Sequence, residues 1–231
     1  MKIKIYQIDR ERCNDDRLFE NYDSVMNRYH EIDPSIYKTV YDGESYMSDL
    51  EGVYAQFNTE RSPVFRGHSM SVSDVVEICD NTARDSKGIY FCDRIGFKKL
   101  KDFDTSKTPP LSGKRMLVVE PHRPPYEAIV PDDLESLQHA VDRYIEVTYP
   151  FEDNTVIISN EEGKIIGMEG NRRIGGDIYA GQFLISADDG NGGFCDLTDE
   201  QVSTYKQRFS QDEIFTPEEV EESAGMYFVG F

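Results

Sequence analysis

Few side chains in this chain are of a type and spacing that could do chemistry. The four histidines, His30, His68, His122 and His139, are scattered, and no two stand four apart on an expected helix. Each reads as a surface or loop residue. The cysteines, Cys13, Cys79, Cys92 and Cys195, form no C-x-x-C and have no histidine at ligand spacing. They read as free thiols in a reducing compartment, with Cys79 and Cys92 expected to face each other across a hairpin as a packing pair. There is no G-x-S-x-G elbow, no G-x-G-x-x-G and no phosphate-binding lysine loop. Asp188-Asp189-Gly190-Asn191-Gly192-Gly193 has the look of a calcium loop. It lacks the alternate-position ligands and the closing glutamate, so a solvated turn is the better reading. No catalytic residue, metal or cofactor is expected.

Two features remain. Asn171-Arg172-Arg173 follows a glycine and precedes Gly175-Gly176. Adjacent arginines in such a setting can grip an anion or a nucleotide phosphate, or can simply answer nearby carboxylates. The second feature is charge. The formal net charge is −19, and residues 1–110 hold sixteen Lys and Arg against twenty Asp and Glu, whereas residues 111–231 hold nine against twenty-four. The acidic excess therefore belongs to the second half. Such a field repels nucleic acid and anionic lipid and attracts basic protein surfaces. The candidate contacts are Asp132, Asp133, Glu135, Glu161, Glu162, Asp188, Asp189, Glu218, Glu219, Glu221 and Glu222. They either solubilise the surface or imitate duplex DNA, which carries one negative charge per about 1.7 Å of axis.

The elements that must position these residues are legible as an α+β pattern of mainly antiparallel strands and short helices in two small domains, 1–103 and 114–231. The boundary falls in Asp104–Gly113, whose two prolines and small polar residues have linker composition. In the first half, Lys2–Ile8 alternates as an amphipathic strand, and Asp23–Tyr29 is a helix. Ser48 caps a second helix carrying Leu50, Val53, Tyr54 and Phe57. Val75–Cys79 and Gly88–Cys92 make a hairpin.

In the second half, Met116–Val119 and Tyr126–Val130 form a hairpin around Pro121, Pro124 and Pro125. Asp132 opens a helix with a stripe of Leu134, Leu137 and Val141. Ile145–Phe151 alternates as a strand that Pro150 places at a sheet edge. Val156–Ile158 and Lys164–Ile166 flank Glu161-Glu162-Gly163 as a further hairpin, and Ile178–Ala187 is extended. Thr198 caps a helix with Val202, Tyr205 and Phe209 on one face, and Thr216-Pro217-Glu218-Glu219 opens the last. The apolar tail Met226–Phe231 is expected to dock on the core or on a second copy. No run is long enough to cross a bilayer, and MKIKIYQIDR lacks the apolar core of a signal peptide, so a cytoplasmic protein is expected.

Two resemblances overlie this reading. YQIDRER, LFENYDSVMNRY, IDPSIYKTVYDG, SDLEGVYAQFN, HSMSVSDVVEI and YFCDRIGFKKL resemble the YodL-like domain over roughly the first 100 residues. LVVEPHRPPYE, YIEVTYPF, NEEGKIIGMEGNR and FCDLTDEQ resemble the domain-of-unknown-function family 3846. The first family implies proteins of conjugative elements and phages, often beside anti-restriction modules, and the second implies phage and integrative-element proteins. Neither brings catalytic residues. Resemblance and charge together lead to the expectation of a non-enzymatic accessory protein that counteracts host defence. Its acidic half would bind a host nuclease or other defence or DNA-processing protein with a basic surface, with a homo-oligomer possible. The alternative is a small-molecule module that sequesters a nucleotide signal through Asn171, Arg172 and Arg173.

Overall fold

Strand β1 (Lys2–Ile8) sits in the middle of its sheet, and this explains the first unit. In the computed structural model, which describes residues 1–13 and 15–225, the chain divides into two units at Leu111/Ser112. In the first unit β1 pairs antiparallel with β2 (Tyr37–Glu44) on one side and β3 (Val75–Ile78) on the other. β4 (Gly88–Cys92) and β5 (Phe97–Leu100) complete the order β5-β4-β3-β1-β2. A central strand is covered on both faces, so β1 is buried from Ile5 to Ile8 rather than half-exposed as its alternation suggested. One face packs Tyr6, Ile8, Val75 and Phe91 against Val25 of α1 (Tyr22–Tyr29). On the other side, Tyr41 meets Phe57 of α2 (Leu50–Thr59) edge-on at 4.8 Å, and both reach Phe65.

Local expectations are corrected at three points in this unit. Asp49, not Ser48, caps α2, accepting from the Gly52 amide at 2.8 Å. Cys79 and Cys92 lie at opposite ends of the β3–β4 pair, because Ile78 stands opposite Gly88 and Val75 opposite Phe91. The linker composition of 104–113 conceals structure. Asp104 caps a 3₁₀ turn (Thr105–Lys107), the buried Thr108 hydroxyl donates to the Pro34 carbonyl at 3.0 Å, and Thr39 donates through its hydroxyl to the Pro109 carbonyl at 2.8 Å. Prolines lack donors but keep acceptors, and here those acceptors hold the segment against the first unit.

The unit also has a buried polar centre. The Gln7 side chain receives the His68 amide at 3.0 Å and donates to the His68 carbonyl at 2.9 Å. The same Nε2 donates to Asp74 Oδ2 at 2.9 Å, which also accepts the Ser71 amide at 2.8 Å. Asp74 is fully buried and its Oδ1 has no partner.

In the second unit β6 (Lys114–Val119) and β7 (Tyr126–Val130) form the expected proline-looped hairpin. α3 (Leu134–Ala140), β8 (Ile145–Thr148) and β9 (Thr155–Asn160) follow. β10 (Gly170–Ile174) and β11 (Asp177–Ala180) make a separate two-stranded ribbon. β12 (Phe183–Asp188) returns to the sheet, giving the order β7-β6-β12-β9-β8, with β13 (Phe194–Cys195) also on β12. α4 (Asp199–Arg208) presents Val202, Tyr205 and, just past its end, Phe209 to Leu117, Ile157, Phe183 and Ile185 of the sheet. Thr198 and Gln201 form a full capping box at its start. α5 (Pro217–Gly225) sets Val220 against Ile178 and Ala180 of the ribbon, and Thr216 with Glu219 caps it reciprocally. No helix among the described residues is long and apolar enough to cross a membrane. The tail Met226–Phe231 lies outside the described residues.

Four expectations shift in this unit. Asp133 rather than Asp132 caps α3, bonding the Ser136 amide and hydroxyl. Leu134 is exposed, leaving Leu137 and Val141 as the buried stripe. The run Ile178–Ala187 is two strands, divided at Gly181, whose φ of +74° is a left-handed value suited to glycine. Lys164–Ile166 is not a strand. Asn160 accepts the Glu162 amide and Ile166 N–H reaches back to the Glu162 carbonyl, so the chain coils after β9. Ile165 and Ile166 are left exposed, and β9 pairs instead with β8 and β12.

Candidate functional site

A cleft of about 300 Å³ lies beside β8 in the second unit and gathers several ionisable groups. Strand alternation builds one wall. Glu146 and Thr148 share a face of β8, and Ser159 stands directly opposite Glu146 in β9. The Glu161 amide bonds the Tyr144 carbonyl at 3.0 Å, which extends the β8–β9 ladder and puts Glu161 on the same face as Ser159. The ribbon supplies the other wall through Asp177, Tyr179 and Ala180, and the coil after β9 supplies Lys164 and the exposed Ile165.

These groups are unequally committed. Asp177 Oδ1 pairs with Lys164 Nζ and accepts from the Ser223 hydroxyl at 2.5 Å and the Ile178 amide at 2.8 Å, fastening α5 to β11. Ser223 is buried and its proton is given to Asp177, so it is a tether rather than a nucleophile. Thr148 and Tyr179 share a hydrogen bond of 2.7 Å between hydroxyls. By contrast, among the described residues the carboxylates of Glu146 and Glu161 make no hydrogen bond or ion pair. The Ser159 hydroxyl, on a residue only 4% exposed, is also unused. A second depression of about 270 Å³ adjoins the first, lined by Glu169, Glu221, Phe215 and Val220, and Lys164 borders both. Five carboxylates thus line two depressions that share one lysine.

Of the eleven acidic residues singled out from sequence, only Glu161 and Glu221 meet here. Asp132 is 3.8 Å from Lys114, Asp133 caps α3 and Glu135 stands exposed in its first turn. Glu162 pairs with Arg143 at 3.2 Å. Asp188 and Asp189 fold the β12–β13 turn by accepting the amides of Gly190, Asn191 and Gly193. Those amide bonds hold the Asp189 carboxyl below its ordinary pKa. Glu218 and Glu222 are exposed on α5, and Glu219 is its capping residue. Glu146, Ser159, Glu169 and Asp177 escaped sequence reasoning, because only sheet register and ribbon packing bring them together.

The nucleotide alternative loses its geometry. A bulge at Asn171 turns Gly170, Asn171 and Arg172 inward together. Asn171 Nδ2 donates to the carbonyls of Val119 and Gly181 at 2.9 and 2.8 Å. Arg172 is 1% exposed. Its guanidinium donates to the carbonyls of Phe209, Arg123 and Asn171 and to Asn171 Oδ1, with Asp212 at 3.5 Å. The arginine answers main-chain carbonyls, including that of Phe209, which follows α4 as its C-cap, and has no face left for a phosphate. Only Arg173 is exposed, with its guanidinium 5.3 Å over the Phe215 ring. Nearby, His122 is held between Glu169 at 2.8 Å and Asp212 at 2.9 Å. These carboxylates, Glu169 foremost, raise its pKa. Both ring nitrogens are occupied by carboxylates, and no group of three or more ligating side chains among the described residues could hold a metal.

Residues 2–103 match the family model of the YodL-like domain, and residues 114–210 match that of a domain of unknown function, DUF3846. No curated protein and no solved structure matches the chain.

Proposed function

Because the chain joins a YodL-like domain to a DUF3846 domain, we propose that it is a non-enzymatic accessory protein of a phage or mobile element that counteracts host defence by binding a host protein. The second unit makes the contact, and the partner is a nuclease or other defence or DNA-processing protein that presents a basic surface. The observation that carries this reading is that Glu146, Glu161, Glu169, Asp177 and Glu221 line two depressions that share Lys164, in the half of the chain that holds most of the acidic excess. Concave walls of low dielectric focus such a field and draw cationic surfaces toward it. The remaining carboxylates are largely caps, turn formers and solvated helix residues, which makes a local acidic concavity a better description of the surface than a continuous imitation of duplex DNA.

Affinity capture from a bacterial lysate, with identification of what co-purifies, tests the reading. Binding of the captured partner should weaken at least tenfold between about 50 and about 500 mM salt, because screening shortens from well over 10 Å to a few ångströms in that range. Affinity that stays level across the range would remove the charge-driven mode.

A further inference from the structure

Strand β8 is the last strand of the order β7-β6-β12-β9-β8, and among the described residues it has one neighbour, β9. Its outer edge therefore offers main-chain donors and acceptors for pairing. Tyr144 and Tyr149 flank it and are more than half exposed. The cleft lies against this same strand. Glu146, Ser159 and Glu161 share one face of the β8–β9 pair, and among the described residues all three have polar atoms without a partner. Ser159 is 4% exposed, and its hydroxyl, which has no hydrogen-bond partner among the described residues, is the part of it left open to the cleft. The neighbouring walls, Ile165, Ala180 and the Tyr179 ring, are apolar and suit the alkyl stem of a long cationic side chain. An anion is disfavoured, since Glu146, Glu161 and Asp177 outnumber Lys164 and that lysine is already paired with Asp177.

We propose that β8 receives an extended segment of the partner as an added strand, with one Lys or Arg head seated between Glu146, Glu161 and Ser159. This inference rests on the proposed function and names its contact. The main-chain ladder supplies affinity that does not depend on side chains, and the cleft supplies the choice of a cation. Arginine fits best, since its planar fork can bond two carboxylates and a hydroxyl at once.

The test is calorimetric titration of the whole chain with a capped peptide of alternating threonine and arginine. It is repeated with glutamine in place of arginine and with N-methylated main-chain amides. Binding of the arginine peptide should weaken about tenfold with Glu146→Gln or Glu161→Gln, the scale of one charge-assisted hydrogen bond. Ser159→Ala should weaken it severalfold, and Glu222→Gln and Asp132→Asn less than twofold. N-methylation should weaken it about as much as loss of the arginines. The proposal is overturned if the arginine peptide does not bind at millimolar concentration, or if all acidic variants weaken it equally. It is also overturned if N-methylation has no effect, or if binding emerges only once residues 226–231 are removed or self-association is blocked, because β8 then belongs to this chain itself. Equal weakening by every acidic variant would still leave the charge-driven reading in place. A salt-insensitive lysate partner would sink that reading whatever the peptide does.

Discussion

Among the described residues, each unit buries one side chain of the kind that is charged in water at neutral pH, Asp74 in the first and Arg172 in the second, and the two are treated in opposite ways. Arg172 enters the core with its donors answered by four main-chain or side-chain oxygens, and with Asp212 nearby. Burial still pulls its pKa down, opposed by Asp212 and Glu213, but a guanidinium keeps its proton. Asp74 is answered on one oxygen only. Burial, which the Ser71 amide and Gln7 only partly offset, pushes its carboxyl up to about 7. A buried cation with every donor satisfied is a structural rivet. A buried acid with an idle oxygen is held neutral and becomes sensitive to pH.

The largest expected effect lies at the rivet. Arg172→Met should destabilise the second unit by about 5 kcal/mol, at roughly 1 kcal/mol for each of five lost hydrogen bonds. Arg172→Lys should recover less than half, because an ammonium cannot span the same oxygens. Chemical denaturation measures both. Full rescue by lysine would mean that charge rather than the planar fork is what the site requires.

Asp74 should come next. Its folded pKa lies above the unfolded value of 3.8, so the stability it permits is complete below about pH 4. It is lost as pH rises toward about 7, where the folded form ionises too. The span corresponds to roughly 4 kcal/mol at 1.36 kcal/mol per unit. Hydrogen exchange of the β1 and β3 amides in the whole chain should follow that slope, and Asp74→Asn should flatten it. A slope unchanged in the variant would assign the pH response elsewhere.

The smallest effect is at the surface of the second unit. His122 gains two carboxylate partners on folding and its pKa rises, so its contribution is present below the ordinary value of 6.5 and fades as pH climbs through the folded one. Glu169→Gln should bring the imidazole titration seen by NMR back toward 6.5. An unmoved titration would leave Asp212 as the sole cause. The two units would then be distinguished by where pH acts, in the core of one and on the rim of the other.

Much of the scaffold was written in local sequence. The proline-looped hairpin, the Thr198–Gln201 and Thr216–Glu219 caps and the Val202–Tyr205–Phe209 face follow from spacing and backbone chemistry a few residues long. The lapses are of a different kind. Lys164–Ile166 has the composition of a strand, but the Asn160 side chain coils the backbone before pairing can begin. Asn171-Arg172-Arg173 has the composition of an anion grip, but a bulge turns two of the three into the core. Asp104–Gly113 has the composition of a linker, yet its carbonyls and hydroxyls are bonded.

The same division holds for function. By itself the sequence determined the α+β alternation, the excess of negative charge in the second half and the position of Glu146 on an alternating strand, since charge and period are properties of a string. Tertiary structure alone decided which carboxylates are caps, which are paired, and which stand unpaired around Lys164 and Ser159. Those residues lie on separate elements, and what a carboxylate can bind is set by the neighbours that reach it across the fold.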